Sequence, residues 1–124
     1  MIQLVSIDIR YSRGDQMARE KYQTLTEQMF YTLICLIQES CGVDIMKRVD
    51  ELTNGRVIIG PGTLYSLLDN FVKEKAIRET KTENRKKSYI ITSIGQDMLE
   101  TEYLRLTKLK TDYEMLVKKV SSHE

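Results

Sequence analysis

The fold is decided by residues 60–92, which read GPGTLYSLLDNFVKEKAIRETKTENRKKSYIIT. The opening Gly-Pro-Gly starts a helix, because proline fits the first helical turn, where its missing N–H would have no partner anyway. The apolar residues that follow have the spacing of a helix with one buried side: Leu64, Leu67, Leu68, Phe71 and Val72. Residues 76–82 and 88–92 then favour two strands, joined by a charged tip at 83–87. The stretch therefore predicts a helix followed by a β-hairpin.

Two helical segments precede this stretch. Residues 18–39 favour helix, with a break near Thr26, which is suited to cap the helical piece that follows it. A second helix is predicted over about 43–53, and Asn54 and Gly55 end it, because both tolerate the left-handed backbone conformation.

A last helix is predicted over about 93–119, capped by Thr92. The order is then helix, helix, helix, strand, strand, helix, with an extra short strand suggested at 56–59. This is the order of a winged helix-turn-helix, a mainly α (α+β) fold. We therefore expect a winged-helix domain over 17–92 and a C-terminal dimerisation helix and tail over 93–124.

The last helix carries a heptad stripe of apolar residues at Leu99, Leu106, Tyr113 and Val120, with Leu109 and Leu116 between them. Glu102 occupies the remaining intermediate position. Such a stripe predicts pairing with a second copy of the chain, the alternative being packing on the helix's own core. The predicted length, about 40 Å at 1.5 Å per residue, exceeds so small a core and favours a homodimer.

Composition and the first residues set the broad class. The chain has 124 residues, of which 41% are hydrophobic and 30% charged, as is ordinary for a soluble globular protein. It has no apolar run near the ~20 residues that span a bilayer and no secretory signal pattern, so a cytoplasmic protein without a membrane partner is expected. Residues 1–16 form an N-terminal extension. Arg13-Gly14-Asp15 can be encoded by a purine-rich string typical of a bacterial ribosome-binding site, so we hypothesise a natural start at Met17.

The charge distribution says more than the net charge of +1. Residues 73–87 contain seven basic side chains and three acidic ones. A local basic cluster suits phosphate binding, the alternative being a solvated surface.

Catalytic and metal chemistry find little support in the residue types. Cys35 and Cys41 lie six apart and the single histidine, His123, is in the tail, so no zinc site is predicted. The cysteines are interpreted as a core thiol and a loop thiol. The sequence has no Gly-rich phosphate loop after a strand and no serine–histidine pair, so we expect neither an enzyme nor a cofactor.

Three segments in order resemble the PadR family of transcriptional regulators: LTEQMFYTL at 25–33, GPGTLYSLL at 60–68, and RKKSYIIT at 85–92 followed by Ile94-Gly95. The resemblance covers about 25–118 and is greatest to the smaller subgroup with a short C-terminal helix. The chain departs from the family in two places. Cys41-Gly42-Val43 stands where His-Gly-Tyr is frequent, and Lys75 stands where glycine is usual, so Lys75 is expected to adopt a positive φ.

The resemblance implies a dimeric repressor that binds a pseudo-palindromic operator near its own or a neighbouring gene. It also implies a small hydrophobic or aromatic effector, since some relatives release DNA when such a molecule binds at the dimer interface. Some of those relatives stack the ligand on a tryptophan. This chain has no tryptophan, and the matching position is close to Leu106.

A helix-turn-helix places the start of its second helix in the major groove. The DNA-contacting residues predicted here are Gly62, Thr63, Tyr65, Ser66, Asn70 and Lys73 on that helix and Arg85, Lys86 and Lys87 on the wing. Thr63 and Ser66 are the candidates for base edges. Tyr65 either contacts a phosphate or packs on the preceding helix. The alternative function is a winged-helix adaptor that binds another protein without sequence-specific DNA binding.

Overall fold

The computed structural model describes residues 24–118. The elements in chain order are α1 (Glu27–Cys35), β1 (Ser40–Cys41), α2 (Gly42–Thr53), α3 (Pro61–Lys73), β2 (Ile77–Glu83), β3 (Lys86–Ile91) and α4 (Ser93–Tyr113), with a π-helical turn over Glu114–Lys118. The predicted winged helix-turn-helix with a long last helix is confirmed. The hypotheses about residues 1–16, Met17, Val120 and His123 lie outside the described residues.

The first helix begins where the sequence predicts and ends earlier. The side chain of Thr26 caps α1 by accepting a hydrogen bond from the Met29 N–H at 3.1 Å. The prediction of helix as far as residue 39 was wrong, because α1 ends at Cys35. The Leu36 carbonyl instead accepts the N–H of Ile91 at 2.7 Å, so the chain leaves the helix to meet the end of β3.

The end of α2 follows the local chemistry of its sequence. Asn54 has φ 51° and Gly55 has φ 75°, and both backbone N–H groups close the last turn. Residues 56–59 form no strand, contrary to the prediction. Val57 and Ile59 turn into the core while Arg56 and Ile58 face solvent, so this loop is held by side chains.

The third strand of the sheet is β1 instead. It pairs antiparallel with β3, giving the order β1-β3-β2. On the other side of β3, β2 pairs antiparallel with it from the Ile77–Ile91 pair to the Glu83–Lys86 pair, with a bulge at Thr80. The two turn residues, Asn84 and Arg85, both have positive φ, as a type I′ hairpin turn requires.

One hydrophobic core joins the helices and the sheet. Its fully buried large side chains include Leu33, Leu36, Ile45, Leu64, Leu68, Phe71 and Ile77. As predicted, Lys75 has positive φ, at 62°, in the turn from α3 to β2. Next to this turn, the carbonyl of Ala76 accepts the Thr92 N–H and lies directly against Gly95 of α4.

The last helix contributes only its first half to this core. Gly95, Met98 and Glu102 are buried, and Leu99 packs against the core from the side. Beyond Glu102 none of the described residues of α4 is buried. The helix therefore leaves the body of the domain at Glu102.

Candidate nucleic-acid interface

The third helix presents a polar face at its start. Leu64, Leu68 and Phe71 turn one side of α3 into the core. The opposite side exposes Gly62, Thr63, Ser66, Asp69 and Lys73, with Asn70 partly exposed. Gly60 caps α3 without a side-chain hydrogen bond, and a Cβ added at Gly60 or Gly62 would meet nothing within 4 Å. The free N–H groups and positive dipole end of the helix are thus open to an anion.

Tyr65 joins α3 to the start of α2. A Cβ at Gly42 would lie 3.2 Å from both the Cε1 and the hydroxyl oxygen of Tyr65, so the ring covers Gly42 closely. The side chain still remains 48% exposed. Of the two roles predicted for Tyr65, packing against the preceding helix is the one that the geometry displays.

Asp69 is a residue of this face that the sequence analysis did not single out. It lies one turn from both Ser66 and Lys73, in the middle of the exposed side of α3. Burial raises the pKa of Tyr89 on β3, and the charges of Glu79 and Asp69 raise it further. The sequence signal for Asp69 was its position off the apolar stripe of α3.

The wing tip carries an uncompensated basic group. Arg85, Lys86 and Lys87 are all exposed, and none of them makes an ion pair within residues 24–118. Lys81, lower on β2, differs because its Nζ lies 3.4 Å from Glu39 and 3.7 Å from Glu83. The wing tip therefore offers three exposed positive charges that no acidic side chain among residues 24–118 pairs with.

Arg85 adopts a backbone conformation that favours glycine. Its φ is 65°, at the second central position of the turn, where the sequence Asn-Gly is the preferred one. A side chain in the left-handed region costs about 1 kcal/mol. The tip of the wing therefore holds an arginine in a backbone conformation that costs free energy.

The predicted dimer residues divide between the core and the surface. Leu99 is half-buried against the core. Leu106, Leu109, Tyr113 and Leu116 are 42, 53, 58 and 71% exposed, and they continue the line of the buried face of α4. The described part of this helix thus presents an unpartnered apolar stripe.

The two cysteines occupy different surroundings. Cys35 is buried in the core, and burial raises the pKa of its thiol. Cys41 is half-buried in β1, rather than in a loop, and its Sγ lies 3.4 Å from Asp44 Oδ2. Cys35 is therefore the predicted core thiol.

Comparison with solved structures shows the same architecture. A transcriptional regulator from Clostridium thermocellum superposes with a TM-score of 0.64 and 25% identity, covering 72% of this chain and 91% of that one. MepR of S. aureus, solved with DNA, gives 0.56 and 20% identity over 89% of this chain and 80% of its own. RosR of H. salinarum gives 0.55 and 20% identity over 81% and 90%. At such identity the latter two show the fold alone.

The sequence comparisons then identify the family. No functionally curated protein matches the chain. Across residues 24–118, no helix is long and apolar enough to cross a bilayer. Residues 33–101, more than half of the chain, match the Transcriptional regulator PadR-like family. This chain therefore belongs to the PadR-like family of transcriptional regulators.

Proposed function

We propose that this protein is a sequence-specific DNA-binding transcriptional regulator, acting as a homodimeric repressor on a pseudo-palindromic operator. The observation that carries the proposal is the pairing of an open, polar start of α3 with an uncompensated basic wing tip at Arg85, Lys86 and Lys87. Thr63 and Ser66 would contact base edges, while the wing charges would contact phosphates or the minor groove.

Asp69 adds a specific preference to this proposal. A carboxylate in the major groove accepts a hydrogen bond from the amino group of cytosine and repels phosphate. Asp69 would therefore favour sites with a cytosine facing the middle of α3 and weaken binding to all others.

The adaptor function has less support. A protein-binding surface at the start of α3 would favour exposed apolar side chains, whereas Gly62, Thr63 and Ser66 are exposed there. The fold of this chain is also that of MepR, which was solved in a complex with DNA.

The homodimer rests on the apolar stripe of α4. A symmetric operator needs two recognition helices at a fixed spacing of about one helical turn of DNA. The outer half of α4 supplies Leu106, Leu109 and Tyr113 for that pairing, and the π-helical turn after it supplies Leu116. In this proposal residues 17–92 form the DNA-binding domain and residues 93–124 the dimerisation helix and tail, with 1–16 as an extension.

The proposal includes release from DNA by a small hydrophobic or aromatic effector between the two paired helices. Its support is the apolar character of the stripe and the presence of Tyr113 within it. A panel of aromatic compounds, each tested for loss of operator binding and for a rise in melting temperature, checks this part. If no compound in the panel has either effect, the effector part of the proposal is rejected.

The test of DNA binding begins with selection of a duplex from a random library by the wild-type protein. Affinity for the selected and for a random duplex is then measured at several salt concentrations. Replacing Arg85 and Lys86 with alanine should weaken binding to both duplexes and flatten the salt dependence, by about 0.9 in logarithmic slope per lost phosphate contact. Replacing Thr63 and Ser66 with alanine should instead reduce the preference for the selected duplex.

A matched control removes two lysines from the exposed outer half of α4, through Lys108→Ala with Lys110→Ala, and should leave the salt slope unchanged. Arg85→Gly offers a sharper variant, since it creates the preferred Asn-Gly turn. It should stabilise the fold by about 1 kcal/mol while it weakens DNA binding. Salt-insensitive binding by the wild-type protein, or none, would favour the adaptor function.

A further inference from the structure

Three consecutive residues at the start of α1, Leu25–Glu27, contact two parts of the molecule that are distant in sequence. Leu25 and Glu102 of α4 are both buried, at 8% and 3% exposure, and hydrogen bonding from the Leu25 backbone helps to hold the pKa of the Glu102 carboxyl below its usual range. The next residue, Thr26, caps α1, and the carboxylate of Glu27 then accepts a hydrogen bond from Arg56 at 2.8 Å. Leu25–Glu27 therefore connects α4 with the loop that precedes α3.

On α4, the carboxylate of Glu102 is buried and hydrogen-bonded. Glu102 is 3% exposed, and Arg105 donates to both of its carboxylate oxygens, from Nε at 2.9 Å and from a terminal nitrogen at 2.6 Å. A bidentate, charge-assisted arrangement fixes the position of a carboxylate as well as its charge. Glu102 is also the last buried residue of α4, so it holds Leu25 where the helix leaves the core.

The other side of the connection is the loop over residues 54–60. Arg56 donates to Glu27 and, at 3.0 Å, to the hydroxyl of Tyr31 on α1. Val57 and Ile59, on either side of the exposed Ile58, are buried, and the loop leads directly into α3 at Pro61. Arg56 thus ties the backbone before the recognition helix to α1.

We propose that the turn Leu25–Glu27 is a joint that holds the recognition helix at a fixed orientation to α4, and that Glu102 and Arg56 are positioning residues for operator binding. The inference rests on the proposed function, because two recognition helices in a dimer match two half-sites only if each keeps its orientation to the dimerisation helix. The Arg56–Glu27 pair is exposed, and such pairs stabilise a fold little, so its value here is orientation.

The first test needs no DNA. Glu102→Met removes the acceptor of the Leu25 N–H while it keeps the length of the side chain and extends the apolar stripe. Glu102→Gln keeps an acceptor oxygen and serves as the conservative comparison. Hydrogen exchange followed by mass spectrometry should show several-fold faster exchange over residues 54–64 in Glu102→Met than in Glu102→Gln.

The control for remote effects is Glu114→Gln, which alters an ion pair on the exposed part of the last helix and should leave residues 54–64 unchanged. Circular dichroism checks that each variant is folded. If Glu102→Met speeds exchange only within α4, or if Glu102→Met and Glu102→Gln behave alike, the joint is refuted.

The second test measures the preference for the selected duplex over a random one in Glu27→Ala, in Glu102→Met and in the double variant. Each single change should reduce the preference about tenfold, and the double change should reduce it no further, because either one opens the joint. If the double variant instead reduces the preference by the product of the two single reductions, the joint is refuted, because the effects of independent sites add in free energy.

Glu27→Ala also separates positioning from direct contact. It frees Arg56 without removing its charge. If Arg56 acted only as a phosphate contact, affinity for both duplexes would rise, and that result overturns the proposal. If the wild-type protein prefers no duplex, the proposed function fails, and the exchange experiment alone then decides for or against the joint.

Discussion

The two halves of the C-terminal helix share one apolar stripe and differ in what covers it. In the inner half, Gly95 and Met98 lie in the core of the domain and Leu99 packs at its edge. In the outer half, Leu109 and Leu116 continue the same stripe with more than half of each side chain exposed. The same apolar periodicity thus forms a buried surface in the inner half and an exposed surface in the outer half.

The boundary between the halves is a charged residue. Glu102 stands on the stripe at a buried position, where its charge is compensated by Arg105 and the Leu25 N–H. A buried polar group within an apolar seam favours one register over its alternatives. A heptad pattern therefore shows where apolar residues lie but not which chain covers them.

The largest effect is expected in the inner half, from Gly95→Ala. The added Cβ would overlap the carbonyl oxygen of Ala76 and Cγ1 of Ile91. This oxygen belongs to the backbone of the turn before β2 and cannot rotate away as a side chain could. The clash can therefore be relieved only by moving α4 away from the sheet. We expect a loss of about 3 kcal/mol or more in the free energy of unfolding, measured by urea denaturation.

Gly62→Ala is the matched control for that substitution. A Cβ at Gly62 meets nothing within 4 Å, and alanine replaces glycine favourably within a helix, by about 0.5 kcal/mol. If Gly95→Ala and Gly62→Ala unfold at the same urea concentration, α4 does not pack on the sheet as described.

The next effect is expected in the outer half, from Leu109→Asp combined with Leu116→Asp. Two charges on the stripe of each protomer would be buried without partners in a dimer. We expect a folded monomer by light scattering. Loss of the second binding unit should weaken operator binding about 100-fold or more.

Thr107→Asp combined with Thr111→Asp adds the same charge to the same half of the helix, away from the stripe, at two exposed positions. This control should remain dimeric. A dimer that persists at micromolar concentration in the leucine variant would show that the outer half pairs with nothing, and the two-fold model of DNA binding would need another interface.

A smaller effect is expected at the boundary, from Glu102→Gln. Hydrogen bonding to Arg105 holds the pKa of the Glu102 carboxyl below its usual range, and the Leu25 N–H contributes in the same direction. Hydrogen bonds to a charged group are worth about 1.5–3 kcal/mol, so the variant should be less stable by that amount at pH 7.

The pH dependence has a defined sign. A depressed folded-state pKa means that the unfolded chain binds a proton more readily, so acid favours unfolding. The advantage of wild type over Glu102→Gln should be complete above about pH 5 and shrink as the pH falls through the ordinary glutamate value of about 4.3. It should vanish below the depressed pKa. A stability difference that stays constant from pH 7 to pH 3 would contradict the assigned ion pair.

What the sequence predicted correctly depends on local chemistry. The Thr26 cap, the stop at Asn54 and Gly55, the start of α3 at Pro61 and the left-handed Lys75 each follow from one residue and its neighbours. The short β1 strand and the early end of α1 depend instead on β3, which is distant in sequence. β1 pairs with Tyr89 and Ser88, and the Ile91 N–H donates to the Leu36 carbonyl, and neither contact leaves a periodic signal in the sequence.

The candidate site divides in the same way. The exposed start of α3 and the basic tip of the wing could be predicted, because exposed polar positions follow from the apolar stripe and the turn. The contacts of Arg56 with Glu27 and of Glu102 with Leu25 could not, because each joins residues that only the tertiary fold brings together.

The smallest effect is expected from Glu114→Gln, which tests the same contrast between the halves with one ion pair in each. Glu114 pairs with Lys110 at 2.7 Å and with Lys118 at 3.7 Å, all on one exposed side of the outer half. The hydrogen bond to Glu114 raises the pKa of Lys110, yet water competes for both charges. We therefore expect no resolvable change in the urea midpoint of Glu114→Gln at 0.15 M salt.

Any small loss of stability seen in Glu114→Gln at low salt should disappear as salt is added, because screening acts on exposed charges. The buried pair at Glu102 should keep most of its contribution under the same conditions. Equal losses in Glu114→Gln and Glu102→Gln, with equal salt dependence, would show that Glu102 is as accessible to water as Glu114 and that the two halves do not differ.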